Sequence, residues 1–89
     1  MKTIVTTSKF KKDFKAYRHT VEIEEALKDI ISYLQQSKQL PVKYKDHPLI
    51  GEFKGCRDCH VLNDVVLIYE IDENRIILIR IGNHAKLFG

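Results

Sequence analysis

No apolar run in these 89 residues approaches the roughly 20 that a helix needs to cross a bilayer. The opening stretch Met1-Lys2-Thr3-Ile4-Val5-Thr6-Thr7-Ser8 meets Lys9 too soon to supply a signal-peptide core. The expected location is therefore the cytoplasm, with no membrane partner. Cysteine is scarce: there are two, and two thiols in a chain with no export signal are expected to stay reduced. Methionine occurs once, as Met1. Linkers, internal repeats and low-complexity segments are missing as well, so one domain over 1–89 is expected. What is present is 44% hydrophobic and 30% charged residues, the balance of a chain that folds.

The net charge of +3 is mild, but its distribution is not. Residues 1–20 hold Lys2, Lys9, Lys11, Lys12, Lys15 and Arg18 against Asp13 alone, whereas residues 21–37 hold Glu22, Glu24, Glu25 and Asp29 against Lys28. A segregated cationic face attracts phosphate backbones, although many solvated helices share the pattern.

Ile4 and Val5 before a Thr-Thr-Ser cluster suit a short strand ending at Ser8, a good N-cap. Phe10, Phe14 and Tyr17 then mark the buried side of a short helix. A second helix should start at Thr20, with Ile23, Leu27, Ile30 and Leu34 toward the core, and fade near Ser37. Val42 to Leu49 reads as an irregular basic connection. Gly51–Val61, Val65–Ile71 and Arg75–Ile81 read as three strands of an antiparallel meander, turning at Asn63-Asp64 and Asp72-Glu73-Asn74. The fold class is α+β: two N-terminal helices packed on a small, mainly antiparallel sheet.

Cys56-Arg57-Asp58-Cys59-His60 spells C-x-x-C-H, the attachment signature of c-type haem. On an extended strand, residues three apart face opposite ways, so the two thiols cannot share one haem edge. Haem also calls for an axial partner, and Met1 is the sole methionine. Zinc ligation by Cys56 or Cys59 with His47, His60 or His84 matches no common finger or ribbon spacing. The expectation is no metal and no cofactor, with one cysteine buried as a small hydrophobe and the other on the sheet's opposite side.

His47, His60 and His84 fall near the ends of predicted elements. The period of two puts Lys54, Cys56, Asp58 and His60 on one face, and an extended last strand would do the same for Arg80 and His84. Spacing alone does not show that they converge. The block Tyr44-Lys45-Asp46-His47-Pro48-Leu49-Ile50-Gly51, then Phe53-Lys54-Gly55-Cys56-Arg57-Asp58-Cys59-His60, then Asp64, Leu67-Ile68-Tyr69 and Gly82-Asn83-His84-Ala85-Lys86-Leu87-Phe88-Gly89 resembles the YafQ-type toxins of the RelE/ParE superfamily. Phe53 departs from the pattern, standing where that family often has tryptophan.

The resemblance implies a microbial RNase-like, RelE-type fold and a type II toxin. It implies a ribosome-dependent endoribonuclease that cuts messenger RNA in the A site, with a cognate antitoxin as partner and operator DNA bound only as the toxin–antitoxin complex. By position it implies a catalytic set of His47, His60, Asp64, His84 and Phe88. RNA brings its own nucleophile, the 2′-hydroxyl, so a metal-free nuclease needs a base and an acid, and histidine serves either role near neutral pH. Base and acid stay unassigned among the three. Asp58 and Arg80 are expected in support, and Lys9, Lys11, Lys12, Lys15, Lys43, Lys45, Lys54 and Arg57 in RNA binding. Two other functions compete: a ParE-like toxin that blocks a protein target without cutting RNA, and a catalytically silent RNA-binding module.

Overall fold

The computed structural model of the protein describes residues 1–89. The chain runs β1 (Thr3–Thr6), α1 (Ser8–Phe14), α2 (Val21–Gln35), a 3₁₀ turn (Val42–Tyr44), β2 (His47–Pro48), a second 3₁₀ turn (Gly51–Phe53), β3 (Arg57–Leu62), β4 (Val65–Ile71), β5 (Arg75–Gly82) and α3 (His84–Phe88). No helix is long and apolar enough to cross a membrane.

The cap of α1 is Thr7 rather than Ser8: its hydroxyl accepts the Phe10 N–H at 3.0 Å, and Ser8 is already helical. The helix stops at Phe14, so Tyr17 reaches the core from the turn that follows. α2 follows its apolar period, with Ile23, Leu27, Ile30 and Leu34 all buried and worth about 1.5–3 kcal/mol each by removal from water. It ends before Ser37, whose φ of 56° no helix can continue.

The sheet has five strands in the order β1-β5-β4-β3-β2. The three central strands form the expected meander, while β1 adds to β5 in parallel. The predicted strand from Gly51 is shortened to Arg57–Leu62. Gly51 (φ 71°) and Gly55 (φ 93°) adopt backbone that side-chain-bearing residues rarely tolerate, and the segment between them curls instead. Part of the supposed connection is a strand: His47 pairs with Asp58 and Pro48 with Arg57 at the sheet's edge, the position proline tolerates.

One sheet face packs α1 and α2 over Cys59, Val61, Leu67, Tyr69, Ile76, Leu78 and Ile81. The other is smaller, with Val66 and Ile68 covered by Leu87 of α3 and flanked by Leu49, Phe53, Cys56 and Ile79. The cysteines thus divide as expected, Cys59 in the main core and Cys56 on the opposite side. A bulge in β5 leaves Ile79 without a partner between Leu78 and Arg80, so Arg80 pairs with Ile68 and Ile81 with Leu67.

Candidate active site

The register of the sheet assembles the site on the smaller face. His47, Asp58, Ile68 and Arg80 form one cross-strand row, and His60, Val66 and Gly82 the next. Residues opposite one another share a face, so His47, Asp58 and His60 come together. α3 folds back closely over Gly82, where a Cβ would touch the Leu87 side chain at 3.4 Å. The last strand therefore does not stay extended to residue 84. Asn83 caps α3 by accepting the Lys86 N–H at 2.8 Å, and His84 opens the helix.

That turn sets the His84 ring against His60, centroids 5.2 Å apart and planes inclined by 62°. Asp64, from the β3–β4 turn, lies 2.6 Å from His84 Nδ1. The bond from His84 holds the Asp64 carboxyl below the usual carboxylate range. Since a carboxylate only accepts, Nδ1 carries the proton and Nε2 is left for substrate. Phe88, 43% exposed, lies one turn beyond His84, with ring centroids 6.0 Å apart. Phe53 meets Phe88 edge to face at 5.9 Å.

His47 Nδ1 sits 3.0 Å from the Lys45 carbonyl and 2.9 Å from Asp58 Oδ1. One ring N–H cannot point at both, and Asp58 Oδ1 is left buried without an aligned donor. Burial pushes the Asp58 carboxyl above its ordinary value, while the nearby His47, His60 and His84 pull it back. Beneath, Asp46 takes a fork of bonds from Arg57 at 2.8–3.2 Å and the Tyr69 hydroxyl. Burial and Asp46 push the Tyr69 phenol up. Asp46 so anchors the chain next to His47.

Two grooves flank the histidines. One, of about 730 Å³, is lined by His47, Leu49, Ile50, Phe53 and Phe88 among others, and the second, of about 370 Å³, by Lys43, Lys45 and His60 with Tyr44. No three His, Cys, Asp or Glu side chains are placed together to hold a metal ion. The model of the bacterial toxin of type II toxin-antitoxin systems, YafQ, matches residues 2–89.

The chain belongs to the YafQ family of type II toxins. It is 38% identical over 84 residues to the mRNA interferase toxin YafQ of Escherichia coli K12, covering 93% of this chain and 91% of that one. The E. coli DinJ-YafQ complex contains a chain that superposes with a TM-score of 0.86 at 37% identity, with both chains fully covered. A metal-bound toxin from Helicobacter pylori superposes at 0.88 with 40% identity, covering 99% of this chain and 100% of that one.

Within this YafQ-family chain, the structure sorts the remaining expected residues. Lys9, Lys11, Lys12 and Lys15 gather around one depression on α1, and Lys43 lies 5.1 Å from the Tyr44 ring centroid. Lys54 is exposed on the loop before β3 rather than on a strand with Asp58. Arg57 and Arg80 are not free cations: Asp46 holds the first and Asp13 the second, at 2.8 Å each. Asp13, Asp46 and Phe53 were missing from the expected set. Asp13 had left a signal, being a charged residue within the Phe10–Phe14–Tyr17 stripe, and Asp46 sat within the family block itself.

Proposed function

We propose that this toxin is an endoribonuclease that cuts messenger RNA on the ribosome by histidine acid–base chemistry, and that a cognate antitoxin neutralises it. The observation that carries the reading is the His60–His84 pair, with Asp64 fixing His84 and Phe88 beside it. An antitoxin partner is supported by the E. coli relative, which occurs in a complex with DinJ. One imidazole takes the proton of a 2′-hydroxyl as its oxygen attacks the adjacent phosphorus, and the other gives a proton to the departing 5′-oxygen. The products are a 2′,3′-cyclic phosphate upstream and a 5′-hydroxyl downstream. Asp58 supplies the negative field that holds three histidines together, and His47 assists from the edge strand. Phe88, Phe53 and Ile50 offer apolar surface for a base, and Lys43 and Lys45 offer charge for backbone phosphates.

The test is cleavage on programmed ribosomes with message ends mapped and EDTA in excess, ribosome integrity being controlled separately. Cutting should occur in the A site and leave the termini just named. A message with hydrogen in place of the 2′-hydroxyl at the scissile nucleotide lacks the nucleophile but keeps base pairing. Its cleavage at the same bond would mean that water attacks, and the scheme fails.

A further inference from the structure

Asp13 lies on the core-facing stripe of α1 and is 4% exposed. An ionised carboxylate in such a place is costly unless paired and hydrogen-bonded, and all its partners come from residues 80–86. Arg80 donates from Nε at 2.9 Å and Nη2 at 2.8 Å, the Ile81 N–H donates at 3.2 Å, and Lys86 Nζ stands 3.3 Å from Oδ1. Arg80 foremost, then Ile81 and Lys86, hold the carboxyl below its ordinary range against the effect of burial.

The position of Asp13 explains why an acceptor is needed there. β1 pairs with β5 only as far as Leu78, after which the chain leaves the sheet for α1 while β5 runs on to Gly82. Thr7 covers the next two carbonyls, its N–H donating to Leu78 O and its hydroxyl to Ile79 O, and Asp13 covers the Ile81 N–H. α1 thereby finishes the sheet edge in place of a strand. Beyond that edge comes α3, five residues long and with Leu87 as its one buried side chain. So short a helix is not stable by itself, yet it carries His84 and Phe88 on either side of Lys86.

We propose that Asp13 is a positioning residue: its buried carboxylate, bound to Arg80 and Ile81 of β5 and to Lys86 of α3, orders the C-terminal helix that presents His84 and Phe88. An ion pair with both ends in water contributes little. Here one end is buried and already oriented by Arg80 and Ile81, so only Lys86 has to be ordered. The significance of His84 and Phe88 rests on the cleavage reading above, but the ordering of α3 by Asp13 does not, and it can be measured without RNA.

The experiment compares Lys86→Met, Lys86→Arg, Asp13→Asn and the Asp13→Asn, Lys86→Met double variant as full chains. Amide exchange at Leu87 and Gly89, which donate within α3 to Asn83 and Ala85, and the His84 ring signals by NMR report on the helix. Single-turnover cleavage on programmed ribosomes reports on chemistry. Lys86→Met should speed exchange at these two amides about 10-fold and move the His84 ring signals. It should slow single-turnover cleavage roughly 10-fold while half-saturation stays within about twofold. Lys86→Arg, which keeps the charge, should restore all of these, and the double variant should be no worse than either single one. Should Asp13→Asn fail to fold, the two Lys86 variants decide alone, since Lys86 is at the surface. Unchanged exchange and ring signals in Lys86→Met overturn the proposal. So does a raised half-saturation that adds to the effect of Asp13→Asn, which would make Lys86 an RNA contact. Altered exchange and ring signals in a protein that cuts no RNA would uphold Asp13 as the ordering residue and count against the nuclease reading instead.

Discussion

The imidazoles of His60 and His84 stand edge to face, 5.2 Å between centroids, although 24 positions separate them in the chain. Two turns produce this encounter. Asn63, with φ at 50°, reverses β3 into β4, and the chain turns at Gly82-Asn83 so that α3 folds back over the sheet. Base and acid must be in opposite protonation states, so single-turnover cleavage should follow a bell-shaped pH profile when chemistry limits the rate. Its limbs belong to the coupled cluster rather than to single residues. His84→Gln should lower the rate by about 10²–10⁴ while the protein still folds and binds ribosomes. Full toxicity of a folded His84→Gln protein would favour a blocking mode of action.

Asp58 should trade stability for activity. Its carboxyl is raised in the fold, mainly by burial, so the ionised form is disfavoured there relative to the unfolded chain. At neutral pH that ionised group therefore destabilises the protein, and the penalty is relieved as pH falls through the raised folded value. Asp58→Asn should melt higher than wild type at pH 7 and cleave at least roughly 10-fold more slowly. The gap in melting temperature should close on acidification. A gap that is constant across the acid range would show that burial of the charge is not its source.

Phe88 should matter for RNA and little for folding, being 43% exposed. Phe88→Ala should cost about 1–3 kcal/mol of stacking, read as a loss of roughly 5- to 150-fold in kcat/KM, with thermal unfolding nearly unchanged. Phe88→Trp, which keeps a stacking surface, should retain most activity. Equal losses in both variants would point to packing against Phe53 or His84 instead of stacking on a base.

The cysteines should be dispensable to chemistry and unequal in their effects on stability. Cys59 is fully buried, and burial pushes its thiol up, so it should resist thiol reagents in the native protein. Cys59→Ser places a hydroxyl in the core and should cost about 1–3 kcal/mol, whereas Cys56→Ser should be milder. Cleavage by folded Cys56→Ser and Cys59→Ala proteins should stay close to wild type. Its loss would reopen a role for the C-x-x-C-H segment.

Much of the architecture was legible because it rests on period. Ile23, Leu27, Ile30 and Leu34 mark α2 without ambiguity, and the β-branched runs of β4 and β5 announce buried strands. Asp58 and His60 could be placed on one face by alternation alone. What alternation could not supply was β2, two residues long and recognisable only through its partner β3, or the five-residue α3, whose Asn83 cap lies inside a segment that reads as extended. The convergence of His47, His60 and His84 depends on those two elements. The carboxylate partners of Arg57 and Arg80 were illegible for a related reason. A cation's sequence neighbourhood does not reveal the distant carboxylate that neutralises it, and Asp13 is 67 residues from Arg80.

The bulge in β5 adds a residue that the neighbouring strand does not match, and everything after it changes sides. With Ile79 uncounted, Arg80 falls opposite Ile68 on the smaller face of the sheet and Ile81 opposite Leu67 in the main core. Deleting Ile79 would join Leu78 directly to Arg80 and leave both positions on their observed faces, whereas pairing Ile79 as an ordinary ladder residue would exchange inside for outside at both. The segment thus encodes a parity as well as a pattern. Removal of Ile79 should therefore leave Arg80 and Ile81 on their faces, whereas an added residue taken up by the ladder between Arg75 and Leu78 should exchange the faces and disrupt the fold and the site together.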